Sequence, residues 1–216
     1  EIAEICADWK IALIEDAAES LGSFVGERHT GSFGKIATLS FNGNKVITTG
    51  GGGMILTNDE LIAKRAMHLT TTAKVPHPYE FQHDEVGYNY RLPNLNAALG
   101  CAQMEKLPAI LESKAKISNE YRIFCIKHGL HFVDSIDGMR SNYWLNAIIF
   151  KSKTERDAFL KYTNTKQVMT RPIWRLMNRL VMFKMCETDS LENARWLEER
   201  VVNIPSSVPN ATLERI

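Results

Sequence analysis

A chain of 216 residues, 44% of them hydrophobic and 24% charged, has an ordinary globular composition and is long enough for one large domain or two modest ones. Its formal net charge of +1 lacks the basic surplus that nucleic-acid binders gather into a patch. The longest apolar runs, such as Leu145 to Phe150, fall far short of the ~20 residues a membrane helix needs.

The chain opens on Glu1 with a helical pattern already running (Ile2, Ile5, Cys6, Trp9) and no signal peptide, so it reads as a segment of a longer protein that lacks an N-terminal portion. Ile11 to Ile14 is an apolar run ending in Glu15 and Asp16, the pattern of a buried parallel strand that delivers acidic residues at its carboxyl end. Ile36 to Phe41 and Gly53 to Thr57 are further strand candidates, separated by an Asn-, Gly- and Thr-rich loop over residues 42–52. Asn58 is a plausible N-cap for a helix to about His68, with Asp59 and Glu60 in its first turn. Residues 70–85 contain prolines and little periodicity and read as an irregular loop.

Pro93 starts a helix, and Pro108 is expected to open a second one whose apolar stripe is Ile110, Leu111, Ile117, Tyr121 and Phe124, with Gly129 as its C-cap. Strands follow near 130–133 and 144–150, then a helix over 154–162, a short strand near Val168, a helix over 191–200 and a last strand over 201–204. Strands alternating with helices give an α/β class. The break at Pro108 divides the chain into residues 1–108 and a smaller domain, 109–216.

Lys45 lies in Ser40-Phe-Asn-Gly-Asn-Lys-Val-Ile-Thr-Thr-Gly50-Gly-Gly-Gly53. A lysine among glycines is most often a solvated loop residue. Four consecutive glycines, however, cost backbone entropy and suit a chain that passes close to a ligand or takes positive φ. A phosphate-binding P-loop needs GxxxxGK[ST], which is absent. Asp16 has two readings, a helix N-cap or a carboxylate aimed at a cationic ring nitrogen. Arg171, Arg175 and Arg179 recur at four-residue spacing, which could line one helical face beside a diphosphate or be simply solvated. Four cysteines without a CxxC pair (Cys6, Cys101, Cys125, Cys186) suggest neither a disulfide framework nor a zinc site, so a reducing cytoplasm is expected. Six histidines without HExxH spacing read as structural, with His29 and His77 distant candidates for the site, and no metal is expected.

Taken in order, Glu15-Asp-Ala-Ala-Glu-Ser-Leu-Gly22, the Gly31-Ser-Phe-Gly34 turn, Ser40-Phe41, Lys45, Thr48 to Gly53, Gly87-Tyr-Asn-Tyr-Arg-Leu-Pro93 and Asn96-Ala-Ala98 resemble the DegT/DnrJ/EryC1/StrS family of sugar aminotransferases. Thr170 to Trp174 and Arg200 to Pro205 resemble its later segments. The resemblance implies the type I, aspartate aminotransferase-like fold of pyridoxal 5'-phosphate enzymes, with part of the large domain and the small C-terminal domain present. It implies that Lys45 holds the cofactor as an imine and then shuttles the proton, and that Asp16 keeps the pyridine nitrogen protonated. Glu19 falls beside the cofactor's 3-hydroxyl, where other members often carry Gln or His, and Ser40 matches a phosphate-contacting serine. Asn89 matches an asparagine that reaches the phosphate in the neighbouring subunit, which implies a homodimer with shared active sites. Arg91 and Arg171 are the residues implied for substrate binding.

The implied reaction carries an amino group from glutamate to the C4 ketone of a nucleotide-linked deoxy sugar, for surface polysaccharide or glycan synthesis. A dehydratase relative tends to replace the lysine with histidine, and a non-catalytic homologue would not need Lys45, Asp16 and Ser40 together. The segments that grip the phosphate from a helix N-terminus and stack on the ring precede Asp16 in the family. This chain alone is therefore expected to bind cofactor poorly and to be inactive.

Overall fold

A computed structural model describes residues 1–209. In chain order its elements are α1 (Ile2–Asp8), β1 (Ile14–Asp16), β2 (Phe24–Val25), β3 (Arg28–His29), β4 (Ile36–Ser40), β5 (Gly53–Leu56), α2 (Glu60–Thr70), β6 (Lys74–Val75), β7 (Gln82–His83) and α3 (Asn94–Lys127). There follow β8 (His131–Phe132), β9 (Met139–Arg140), β10 (Asn146–Ile149), α4 (Lys153–Thr165), β11 (Arg171–Pro172), α5 (Glu192–Glu198) and β12 (Val201–Ile204). They fall into two compact units, Glu1–Leu111 with Asp137–Asn142, and Glu112–Ile136 with Tyr143–Ile216. The boundary lies inside α3, and residues 137–142 return to the first unit, an excursion that a linear division at 108 does not contain.

In the first unit β4 is the central strand, paired parallel to β1 (Ile14↔Ile36, Asp16↔Thr38) and antiparallel to β5 (Ala37↔Leu56, Ser40↔Gly53). Side chains alternate along a strand. Ala37 and Leu39 are buried on one face, with Ala17, Phe41 and Ile47 also in the core, whereas Thr38 and Ser40 point to the other, more open face. The expected strand at 11–14 begins only at Ile14, where the pairing with Ile36 starts, and it is not buried, since Ile11 is 61% and Ile14 67% exposed. Two small pairings were not legible in advance. β2 and β3 form a hairpin through Gly26 at φ 57, and β9 extends it (Phe24↔Arg140). β6 and β7 give residues 74–83 a hairpin where an irregular loop was expected.

Two helix expectations are corrected. The cap of α2 is Asp59, whose Oδ1 accepts the N–H of Leu61 (2.9 Å) and Ile62 (3.2 Å). Those bonds, first that from Ile62, hold the Asp59 carboxyl below the ordinary carboxylate value. Helix α3 runs unbroken through Pro108. Proline there forfeits one ladder hydrogen bond, and the burial of Ile110 and Cys125 on the same helix offsets the loss.

The second unit is built on an antiparallel sheet in the order β11-β12-β10-β8. Cys125, Ile148, Val202 and Ile204 form its core, with Tyr121, Phe132, Phe150, Phe159 and Leu160 packed around them. The strand expected near Val168 lies at Arg171–Pro172 instead. Gln167 takes φ 60 and Val168 N–H bonds the Thr163 carbonyl (2.9 Å), so this stretch closes α4 before the chain can extend. Among the described residues no helix is long and apolar enough to cross a membrane.

Candidate active site

The parallel pair β1–β4 sends both chains out of the sheet at the same end, the carboxyl end, where open α/β sheets present their binding crevices. Asp16 pairs with Thr38, and Thr38 and Ser40 are two residues apart, so Asp16, Thr38 and Ser40 share one face. Asp16 is exposed, and its Oδ1 accepts Ala18 N–H (3.2 Å), an Asx turn rather than a helix cap because no helix follows. Ser40 is half-buried, and its Oγ accepts Asn42 N–H (3.4 Å). From the loop after β4, Lys45 reaches back so that its Nζ donates to Glu19 Oε1. The lysine side chain is 12% exposed and the glutamate 46%. Asp16, Glu19, Ser40 and Lys45 thus gather at one end of the sheet, giving an amine, two carboxylates and a hydroxyl.

The glycine run is held by contacts that need its missing side chains. Gly50 and Gly52 take φ of +80 and +93, and a Cβ on Gly52 would stand 2.6 Å from Leu92 Cδ1. Thr49 is 1% exposed, and its carbonyl accepts from Asn96 Nδ2 (2.5 Å). The Leu92–Asn96 stretch therefore packs against the run, which brings the segment carrying Arg91 to the site's margin. Arg91 itself is exposed. Asn89 is exposed and bridges Thr71 in antiparallel fashion, between Tyr88 and Tyr90, whose rings stack at 5.0 Å.

Arg171, in the second unit, is exposed on β11, with Met169 Sδ 3.6 Å from its guanidinium. The one-helical-face reading of Arg171, Arg175 and Arg179 is corrected. Pro172 forces extended backbone on Arg171, and Arg179 ends a short 3-10 helix and pairs with Glu198 (2.9 Å).

Glu15 and Asn142, which sequence reasoning missed, and His29, which it held only as a distant candidate, organise this end of the first unit. Glu15, one position before Asp16 and therefore on the opposite face, accepts Gly31 N–H (2.7 Å) and Gly34 N–H (2.5 Å) and so holds the Gly31–Gly34 turn. His29 accepts Gly22 N–H at Nε2 (2.8 Å), so the ring supports the Glu19 turn. Asn142, 119 or more positions away in sequence, binds the same turn. Of these only Glu15 left a sequence signal, an acidic strand end followed by a Gly-x-x-Gly turn. Further off, His68, Asp84 and Glu85 place ligand atoms within 4.8 Å of one another. Arg65 already engages both Glu85 oxygens, raising its own pKa and lowering that of Glu85, so the cluster is an ion-pair network joining α2 to the β6–β7 hairpin.

The model of the DegT/DnrJ/EryC1/StrS aminotransferase family matches residues 1–216. GDP-perosamine synthase of Vibrio cholerae is 32% identical over 206 residues, 94% of this chain and 56% of that one. The aminotransferase TlmJ from Streptoalloteichus hindustanus superposes with a TM-score of 0.90 at 24% identity, over 100% of this chain and 59% of that one. Spr1654 from Streptococcus pneumoniae, solved in its PLP form, gives 0.79 at 18% identity, over 95% and 56%. The chain spans about half the length of the curated relatives it matches. Over that span its mixed α/β architecture is the fold of the sugar aminotransferases, and the chain belongs to the DegT/DnrJ/EryC1/StrS aminotransferase family.

Proposed function

We propose that the protein is a pyridoxal 5'-phosphate-dependent aminotransferase that moves an amino group from glutamate to the C4 ketone of a nucleotide-linked 4-keto-6-deoxy sugar, for cytoplasmic synthesis of surface polysaccharide precursors. The observation that carries this reading is the enclosed amine of Lys45 at the carboxyl end of the β1–β4 pair, beside a sheet face bearing Asp16 and Ser40. The donor set fits the cofactor: an amine for its aldehyde carbon, a carboxylate for its ring nitrogen and a hydroxyl for its phosphate. When bound, the cofactor supplies an electron sink for the carbon that gains or loses the proton.

The chain's own residues do the rest. Lys45, once its ammonium gives up a proton, is the nucleophile and afterwards the base at the reacting carbon. Asp16 would keep the ring nitrogen protonated, and Glu19, which meets the Lys45 amine, would serve the ring hydroxyl. Asn89 extends to the phosphate of a two-fold partner, making a homodimer with shared sites. Arg91 and Arg171 neutralise the nucleotide phosphates. The first unit is the C-terminal part of the large cofactor-binding domain and the second unit the small domain. The test follows 2-oxoglutarate release by the full-length protein with glutamate and candidate nucleotide ketosugars. Lys45→Ala is expected to reduce turnover by at least ~1000-fold, and full activity in that variant would end the proposal.

A further inference from the structure

The turn between Asp16 and Ser23 carries Glu19 but belongs to no helix or strand, so something must fix its main chain. Its own bonds are local and short in span: Ala18 N–H to Asp16, Ser20 N–H (3.1 Å) and Oγ (3.3 Å) to the Ala17 carbonyl, and Ser23 N–H to the Ser20 carbonyl (2.8 Å). The remainder come from outside. Thr30 Oγ1 donates to the carbonyls of Ser20 (3.2 Å) and Ser23 (3.1 Å), and His29 accepts Gly22 N–H. The centre of the turn is held by Asn142. Its Nδ2 donates to the carbonyls of both Glu19 (2.7 Å) and Leu21 (3.0 Å), and its backbone N–H donates to Ser23 Oγ (3.0 Å).

Asn142 is itself firmly seated. It is 4% exposed, and its segment is tied to the β2–β3 hairpin by the β2–β9 pairing and by Gly26 N–H to the Gly138 carbonyl (2.8 Å). A terminal amide has two N–H donors on one nitrogen, and here both carbonyls of an i, i+2 pair receive them. Alanine has no donor. Aspartate fills the same volume but turns an acceptor toward two acceptors. The carbonyl that Asn142 grips is that of Glu19, whose carboxylate meets Lys45.

We infer that Asn142 is a positioning residue for Lys45, acting through Glu19: by fixing the main chain at 19–21 it sets where the carboxylate meets the lysine amine. The carboxylate occupies the lysine's side-chain nitrogen and so shields it from electrophiles. Loss of Asn142 lets the turn relax and releases Lys45 to react. The inference rests on the reading of Lys45 as the working amine, but its test does not require the cofactor.

The full chain is methylated with formaldehyde and cyanoborohydride at pH 7.5, and the Lys45 rate is read by peptide mass spectrometry against the exposed Lys35 and Lys106 in the same sample. Asn142→Ala and Glu19→Ala are each expected to raise the Lys45 rate about threefold, the scale of a partly exposed ion pair, and to leave the reference lysines unchanged. The double variant should rise no further than either single one. Asn142→Asp, which preserves the side-chain volume, should match Asn142→Ala and covers the case in which the alanine variant fails to fold. An unchanged Lys45 rate overturns the inference. So does a rise in the Glu19→Ala background equal to that in the parent, and so does a rise shared by all three lysines, which marks general loosening. If the coupling holds while Lys45→Ala keeps its turnover, the proposed reaction falls and the positioning role stands.

Discussion

Lys114 is a cation in a place that offers it little. It lies on α3, 5% exposed, with its Nζ donating to the main-chain carbonyls of Ser206 (2.6 Å) and Trp144 (3.4 Å). Burial pushes its ammonium down to about 8 from 10.5. Between those two values the unfolded chain still binds a proton that the folded chain has released, so stability contributed by this group rises with pH through the window and is flat below about 8. The full rise is at most about 3 kcal/mol. Buried Cys125 and half-buried Tyr121, both pushed up by burial, act in the opposite sense at high pH, so the comparison must be between variant and parent. Urea unfolding at several pH values should show Lys114→Met losing the upward component between pH 8 and 10.5. Identical pH dependence in the two proteins would refute the assignment. Such residues mark the limit of sequence reading. Lys45 and Asp16 were legible because they sit in a dense motif. Asn142 and Lys114 were not, because the groups they hold lie from 30 to 123 positions away, and no local pattern records them.

Elements follow the sequence wherever local chemistry decides them. The strands at 36–40, 53–56 and 201–204 and the helices at 60–70 and 153–165 sit within a few residues of their expected places. The misses have local causes. Asn58 and Asp59 are both good caps, and the choice falls on Asp59 because Thr57 Oγ1 accepts Asp59 N–H (3.1 Å) and orients it. At Pro108 the propensity rule gave way to tertiary burial of the same helix. The two-residue strands are too short to show any period. Helix α4 offers the cleanest test of local control. Ser152 Oγ accepts Glu155 N–H (3.2 Å), and Glu155 Oε2 reaches back to Lys151 N–H (3.2 Å), a reciprocal start built from Ser-Lys-Thr-Glu. Ser152→Ala should cost about 1 kcal/mol in urea unfolding, and amide exchange should quicken first at Glu155. Unchanged exchange there would show that packing against the second unit's sheet, and not the cap, fixes the start of α4.

On the scale of the molecule, the first unit leaves much apolar surface uncovered. Ile2, Ile5 and Trp9 on and after α1, Ile11 and Ile14 at β1, Met54 and Ile55 on β5, and Leu61 on α2 are each at least 44% exposed. The sheet β1-β4-β5 also ends on two strands that lack an outer neighbour among the described residues. Open edges beside apolar faces are templates for association. The relatives, of which this chain spans about half, carry further polypeptide that can cover such surface. Made by itself, the 216-residue chain is therefore expected to self-associate. Its mass by light scattering should exceed the 24.5 kDa of one copy at least about twofold and climb with concentration. Ile14→Lys puts a charge on the outer strand, and Trp9→Glu removes the largest exposed ring. Together they should return the mass toward one copy without altering the core at Ala37, Leu39 and Phe41. A parent chain that stays at 24.5 kDa across the concentration range would mean that these faces are compatible with water as they stand.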